Sequence, residues 1–339
     1  MVSIKDVARA AGVSDKTVSR VVNREANVHP ETLEKVEKAI SELNYIPNLS
    51  ARLVRTSRSR TIGIMTDLVS TTPYSGDIVR GVQDWARKAN RTVLITNTGG
   101  DPQEEARGWR TFLEHRIDGV VYATMAHRAV SLHSSAAPLP TVLVNCFSDT
   151  DNGFPAIVPD DYKGSVALAE HLLALGHERI GYVRLNPVLR AAGLRLDAFR
   201  DTLGKRGLTL EPSLIRDGMF GEVGHDSNVA YESTHALLDL PDPPTAIACG
   251  NDEIALQVYC AVLDRGLRIP DDVSVVGFDD FQTVARGLRP QLTTAALPYY
   301  SLGIEGAQLL EELLGGKPLM GVRTAECPLV IRRSTGPLG

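Results

Sequence analysis

Only four cysteines occur in the 339 residues, and none of Cys146, Cys249, Cys260 or Cys327 stands at a CxxC or other metal-binding spacing. A disulfide scaffold is excluded, no metal site is indicated, and reduced, mostly buried thiols are expected. Long apolar runs are missing as well. The longest, such as VYCAVL at 258–263 and GVVYA at 119–123, fall far short of the roughly 18 residues that a membrane helix needs. The N-terminus, MVSIKDVARAAGVS, carries charges at Lys5, Asp6 and Arg9 in place of the apolar stretch of a signal peptide. A cytoplasmic location with no membrane partner is therefore expected. Aromatic residues are scarce at 5%, whereas 43% of the chain is apolar and 23% charged, which excludes disorder and collagen-like repeats and suffices for two or three cores.

Signatures of catalysis are also lacking. No Gly-x-Gly-x-x-Gly follows a strand, and there is no P-loop, His-Glu-x-x-His or Gly-x-Ser-x-Gly elbow. The adjacent acids Asp160–Asp161, Asp271–Asp272 and Asp279–Asp280 suit loop caps better than acid–base work, because sequence neighbours on a strand point to opposite faces. No catalytic residue, metal or cofactor is assigned, and the chain is read as a protein that is not an enzyme.

Charge is distributed unevenly. Residues 1–60 hold 11 Lys/Arg against 7 Asp/Glu, a net of +4, while the remainder holds 25 basic against 34 acidic side chains, a net of −9. Between Glu42 and Asp67 no acid occurs, and Arg52, Arg55, Arg58 and Arg60 follow at short intervals. The stretch suits either a polyanion or a solvated linker.

Within this basic head, Ser3 and Asp6 form a Ser-x-x-Asp capping pattern for a helix whose apolar face is Ile4, Val7, Ala8 and Ala11. Gly12 breaks that helix. Ser14 caps a second one in which Val18, Val21 and Val22 face inward, leaving Asp15, Lys16, Thr17, Ser19, Arg20 and Asn23 outward. Two short helices joined by a Gly-containing turn make a helix-turn-helix. Pro30 starts a third helix, with Leu33, Val36, Ile40 and Leu43 closing a three-helix core, and Pro47 ends the run. Any small three-helix bundle shows this spacing, so spacing alone does not establish DNA binding.

The residues themselves say more. IKDVARAAGVS, KTVSRVVN and ELNYIPNLSAR closely resemble the head of the LacI/GalR family of bacterial transcription regulators. Further pieces fall in family order: DGVVYA at 118–123, PTVLVN at 140–145, LGHERIGYV at 175–183, GLRLDAFRDTL at 193–203, PTAIACGNDEIAL at 244–256, GLRIPDDVSVVGFDD at 266–280 and RPQLTT at 289–294. The resemblance covers nearly the whole chain. It implies an α/β protein: a helix-turn-helix head over residues 1–47, a hinge helix and linker over 48–60, and a two-lobed effector and dimerisation domain over 61–339 that resembles periplasmic sugar-binding proteins. One lobe would take about 61–160 and 292–325, the other about 161–291 and 326–339. The alternation of short apolar runs with helical patterns after Thr61 independently indicates parallel sheets covered on both faces.

Carried over by position, the base-reading residues of the family fall on Asp15, Lys16 and Arg20. Arg20 can donate twice to guanine O6 and N7, and Lys16 can do likewise or reach a phosphate. Asp15 would face a cytosine amino group or cap its helix, the second being favoured. Thr17, Ser19 and Asn23 match positions that hold the phosphate backbone. Asn48 to Arg55, NLSARLVR, occupies the place of the hinge helix that enters the minor groove, with Leu53, Val54 and Arg55 as its DNA-facing residues. Val54 departs from the leucine usual there, and Leu53 can share the wedging task. His29 is a second departure.

In the cleft between lobes, at the carboxyl ends of the strands, Arg195, Asn251 and Asp279 match positions that hydrogen-bond the family's effectors, and their chemistry suits a polyol. Tyr74, Phe220 and Tyr299 fall near positions that cover the ligand's face, and Asp160 matches a frequent cleft acid. A structural ion pair for Arg195 and Asp279, and plain packing for the aromatics, are the competing readings. The resemblance therefore implies a regulator, a repressor in particular, that binds near-palindromic operator DNA as a homodimer and is controlled by a small-molecule effector, a sugar or glycoside. A nucleobase effector is the alternative. A transporter's sugar-binding protein or a sugar-active enzyme is more distant, the first because it has no use for residues 1–60, the second because it lacks a catalytic set.

Overall fold

The computed structural model describes residues 2–22, 28–45, 59–68, 76–132, 138–149, 153–222 and 226–338. The chain divides into two compact units, Met1–Ser59 and Arg60–Gly339.

In the first unit, α1 (Ile4–Ala11) begins with the expected capping box: the Asp6 backbone N–H donates to Ser3 Oγ at 3.3 Å, and the Ser3 N–H donates to Asp6 Oδ2 at 3.0 Å. Gly12, at φ 68°, ends it in the left-handed conformation that glycine adopts most easily. α2 (Asp15–Val22) is capped by Ser14, whose Oγ accepts from the Thr17 N–H at 3.2 Å. α3 (Pro30–Glu42) starts on its proline. Val7, Ala8, Val18, Val21, Val36 and Ala39 form the core of this unit. Leu33, expected inside, is 37% exposed. With 13 residues against 8 in α1 and α2, α3 outruns its partners, and the apolar stripe is completed by Ala39.

Among its described residues, the second unit contains two six-stranded sheets. The first comprises β1 (Thr61–Thr66), β2 (Thr92–Asn97), β3 (Gly119–Val130), β4 (Thr141–Ser148), β5 (Ala156–Pro159) and, from much later in the chain, a strand at Val322–Ala325. All its pairings are parallel, in the order Val322–Ala325, β5, β4, β3, β1, β2. α4 (Gly76–Lys88) and α5 (Pro102–Glu114) connect its early strands. Two apolar clusters, one built on Ile62, Ile64, Val121 and Val142, the other on Met65, Trp109, Phe112 and Leu143, cover its two faces.

α6 (Asp161–Ala174) leads into the second lobe, whose sheet contains β6 (Ile180–Arg184), β7 (Ile215–Asp217), β10 (Ala246–Cys249), β11 (Ser274–Asp279) and β12 (Thr293–Ala296); a two-stranded hairpin, β8 (Met219–Phe220) with β9 (Ser227–Asn228), stands apart. α7 (Arg190–Gly204), α8 (Ala230–Leu238), α9 (Asp252–Asp264) and the short α10 (Gln282–Ala285) accompany these strands. α11 (Tyr299–Leu314) then packs on α4 in the first lobe and leads to β13 (Val322–Ala325), after which β14 (Leu329–Val330) pairs antiparallel with β12.

The chain thus crosses between lobes at Asp160, at Leu297–Pro298 and at residues 326–328. The return to the first lobe, expected at 292, falls later: Val276–Asp279 pairs in register with Thr293–Ala296, so that short run of small residues belongs to the second sheet. Close helix contact secures the returning α11. A Cβ added at Gly303 would stand 2.1 Å from the Ile78 carbonyl oxygen, and one at Gly81 would stand 2.2 Å from that of Tyr300.

Candidate functional site

A cavity of about 430 Å³ opens where the carboxyl ends of both sheets meet. That volume falls within the ~300–1,000 Å³ usual for small-molecule sites. Leu68 follows β1, Asn145 lies on β4, Leu185 and Asn186 follow β6, Asn251 follows β10, Asp279 ends β11, and Leu297 and Tyr299 follow β12. Parallel strands deliver their ends to one edge, which is why a site forms here.

Behind the cavity runs a chain of buried charges. Arg195, on α7 and 4% exposed, donates from Nε to Asp161 Oδ1 at 2.7 Å, and from Nη1 to the Gly250 carbonyl at 2.6 Å and Asp279 Oδ1 at 3.5 Å. Its guanidinium lies 3.7 Å from the centroid of the Phe278 ring, where a cation is attracted to the aromatic face. No described residue pairs with Nη2. Asp161, fully buried at the start of α6, also receives His127 Nδ1 at 2.6 Å. Burial alone would push the Asp161 carboxyl up, but Arg195 and His127 outweigh it and hold the group below the usual carboxylate range.

Asp279 behaves in the opposite way. Burial pushes it up to about 7 against the pull of Arg195, with Glu253 and Asp161 adding repulsion. It sits at φ 117° and is followed by Asp280 at φ 52°, a strained turn for residues with side chains. Asp280 is tied down by Arg332 Nη2 at 2.6 Å.

On the first-lobe side, the β3–β4 register shifts between Ala123 and Arg128. Asn145 Nδ2 spans the irregularity by donating to the carbonyls of Thr124 at 3.0 Å and Met125 at 2.9 Å. Such a bulge re-aims side chains, and Met125, Ala126 and His127 all line the cavity. Asp67 holds the adjoining loop, accepting from the backbone N–H groups of Leu68 and Met125 and from Arg128 Nη2.

Of the residues singled out from sequence, Arg195, Asn251, Asp279 and Tyr299 are brought together in the lining. Asn251 does two jobs there: its Oδ1 caps α9 by accepting from the Ile254 N–H at 2.8 Å, which leaves its amide hydrogens for a ligand. Asp160 is not in the lining. It caps α6, accepting from the Lys163 N–H at 3.1 Å, with Lys163 Nζ also 3.1 Å away. Phe220, on the β8–β9 hairpin, is 50% exposed and likewise outside the lining. Tyr74 lies outside the described residues.

Sequence reasoning passed over Asp161, His127, Asn145, Asn186, Asp226 and Glu253. A signal existed for one of them: in the Asp160–Asp161 pair, one acid at the cap leaves the next on the first helical turn, free to face inward.

On the head, Asp15, Lys16 and Arg20 are exposed on α2 while Thr17 and Ser19 are partly covered. Lys16 and Arg20, four apart, share a helix face. The cap of α2 is Ser14, so Asp15 stands in the first turn beyond it. Asn23, Leu53, Val54 and Arg55 lie outside the described residues. Among the described residues no cluster of three or more potential ligands could hold a metal, and no helix is long and apolar enough to cross a membrane.

A three-helix head with one face of its second helix exposed, and in the same chain a two-lobed α/β unit, is the architecture of a DNA-binding regulator. Residues 3–48 match the family described as bacterial regulatory proteins of the lacI family, and residues 59–320 match that of periplasmic binding proteins and the sugar-binding domain of the LacI family. The chain belongs to the LacI family of DNA-binding transcription regulators. It is 36% identical to the sucrose operon repressor of Escherichia coli over 338 residues, which is 99% of this chain and all of that one. A LacI-family transcriptional regulator from Rhizobium etli is 52% identical in its crystal structure, with a TM-score of 0.78, covering 82% of this chain and all of that one. The lac repressor dimer bound to operator and the anti-inducer ONPF is 28% identical, with a TM-score of 0.81 and 99% of each chain covered.

Proposed function

We propose that this chain represses transcription by binding a near-palindromic operator as a homodimer, and that a sugar or glycoside in the interlobe cleft controls its affinity for DNA. The observation that carries this reading is the cavity at the meeting of the two sheets, with Arg195, Asn251, Asp279 and Tyr299 in its lining. A guanidinium, an amide and a carboxylate together supply the forked donors and paired acceptors that vicinal hydroxyls require. The resemblance to the sucrose operon repressor supports a saccharide, and the likeness to an operator-bound lac repressor dimer supports the mode of DNA binding.

On the DNA, Arg20 reads a base edge in the major groove, Lys16 does likewise or reaches a phosphate, and Thr17, Ser19 and Asn23 hold phosphates. Leu53, Val54 and Arg55 serve the minor groove at the centre of the site. In the cleft, an effector that binds one lobe arrangement better than another shifts the population between DNA-binding and released states, in proportion to that difference in affinity. The same parts serve induction and corepression with opposite sign.

The test is fluorescence anisotropy on an operator selected in vitro from random duplexes, at one fixed salt concentration, with and without a panel of mono- and disaccharides. Enrichment of a two-fold symmetric site, and a change of at least about tenfold in its affinity with one saccharide, is the expected result; about tenfold corresponds to 1.4 kcal/mol of coupling. Selection that yields no symmetric site would overturn the operator reading. Symmetric binding that every saccharide leaves unmoved would overturn the effector reading.

A further inference from the structure

If the cleft is an effector site, as proposed above, its charge balance limits what enters. Among the described residues, five ionisable side chains other than tyrosine line it: His127, Arg195, Asp226, Glu253 and Asp279. Arg195 is the permanent cation, and its charge is already matched by Asp161 at 2.7 Å and Asp279 at 3.5 Å. His127 commits Nδ1 to Asp161. The others are acids. Asp226 accepts from Asn186 Nδ2, whereas Glu253, half-buried at the start of α9, receives no hydrogen bond from a described residue. Burial and then the neighbouring Asp226 charge make Glu253 harder to ionise than an ordinary glutamate.

The undescribed stretches of the second unit bring no permanent cation, their basic residues being His133 and His225. Residues 69–75, 133–137, 150–152 and 223–225 contain neither lysine nor arginine. Arg190, at the first position of α7, is exposed and outside the lining.

Asn145 adds an independent observation. It is 1% exposed, lines the cavity, and is locked in orientation by the two bonds its Nδ2 donates to backbone carbonyls. Its Oδ1 is left buried without a partner. A buried acceptor without a donor costs about 1–3 kcal/mol, and a ligand hydroxyl or N–H removes that cost.

We infer that the cleft takes an uncharged, donor-rich polyol and rejects anionic relatives of the same ligand, such as sugar phosphates, uronic acids and nucleotides. A saccharide hydroxyl donates to Asn145 Oδ1 and to the Glu253 carboxyl while Arg195 Nη2 donates back to a sugar oxygen. A phosphate adds negative charge to a lining in which the carboxyls of Asp226, Glu253 and Asp279 outnumber the one permanent cation among the described residues. Arg195 Nη2 can reach a phosphate oxygen as it reaches a sugar oxygen, but the guanidinium charge is already shared with Asp161 and Asp279 and offsets the added negative charge poorly.

The experiment is calorimetric titration of the full-length protein with matched pairs: sucrose and sucrose 6-phosphate, ribose and ribose 5-phosphate, glucose and glucose 6-phosphate, guanosine and guanosine monophosphate. The expected result is that the neutral member of at least one pair binds and its phosphate binds at least about tenfold more weakly. A double variant, Glu253→Gln with Asp226→Asn, should bring that ratio down several-fold. A phosphate that binds as tightly as its neutral partner overturns the inference and leaves the effector site intact. An unchanged ratio in the folded double variant also overturns it, because these acids would not be the source of the discrimination. If no pair binds and none moves operator affinity, the effector reading fails and the inference falls with it.

Discussion

His127 and Arg195, one from each lobe, approach the same carboxylate: Nδ1 of the first lies 2.6 Å from Asp161 Oδ2, and Nε of the second lies 2.7 Å from Asp161 Oδ1. The acid therefore joins β3 to α7 at the base of the cleft. A buried charge held between two partners is costly to alter on one side only, since the remaining charge stays in a medium of low dielectric.

Asp161→Asn should accordingly destabilise the second unit by about 3–5 kcal/mol in urea unfolding at neutral pH. The folded carboxyl lies below its ordinary range, so the wild type binds that proton less readily when folded. Its advantage over the variant is full above the unfolded pKa, near 3.9, and declines as pH falls through the folded value. A loss under about 1 kcal/mol would show that the His127–Asp161–Arg195 contact adds little.

Asp279 predicts the reverse slope. Its folded carboxyl titrates near 7 against about 3.9 in the unfolded chain. Between these values the folded state holds a proton that the unfolded state has released, so stability falls as pH rises. Asp279→Asn removes that titration, and the variant should gain on the wild type from pH 4 to pH 7. Parallel stability profiles would contradict the assignment.

Gly303→Ala introduces a methyl carbon 2.1 Å from the Ile78 carbonyl oxygen. No side chain can yield there, because the obstacle is backbone, and α11 has to move away from α4. A cost of about 1–3 kcal/mol is expected, typical of an overpacked interior. An unchanged thermal midpoint would mean that the two helices are not seated this closely.

Arg20→Ala should weaken operator binding by about 1–3 kcal/mol and relax preference at one base pair in each half-site. Lys16→Ala, if Lys16 reaches a phosphate, should weaken all sequences alike and reduce the salt slope by about one. Binding titrations on single-base operator variants separate the two. A uniform loss for Arg20→Ala would move Arg20 to the phosphate backbone.

The elements were legible in the sequence where local chemistry decides them. Ser3 and Ser14 announce helix starts, Gly12 a stop, and the runs TIGIMT and IGYV are buried strands, while TVLITN is a partly exposed edge strand. Leu33 misled because periodicity identifies a face of a helix without saying how far the partner helices extend along it. The sequence places Thr293–Ala296 in the first lobe, where the structure does not, because a run of threonine and alanine fits either sheet and only pairing with β11 decides. In the cleft, Arg195, Asn251 and Asp279 stand inside long recognisable stretches. The Asp160–Asp161 pair marks Asp161 as a first-turn acid, but not its partners, since His127 and Arg195 each lie 34 positions from it. Asn145 and Glu253 matter only through a cavity to which segments from both lobes contribute, and no local pattern reports that.

The second crossing, at Leu297–Pro298, also sets an order of events during synthesis. The first lobe begins directly after the head, yet its helix Tyr299–Leu314 and its edge strand Val322–Ala325 are encoded near the end of the chain. Until they emerge, α4 lacks the helix that packs against Gly81, and β5 is left as an open edge of a parallel sheet. The second lobe has its own strands as far as β12 by residue 296. A growing chain can therefore assemble the lobe distant in sequence from the head before it completes the adjacent one. A truncation after residue 296, although it removes only the last eighth or so of the protein, would spare most of the second lobe and disable the first.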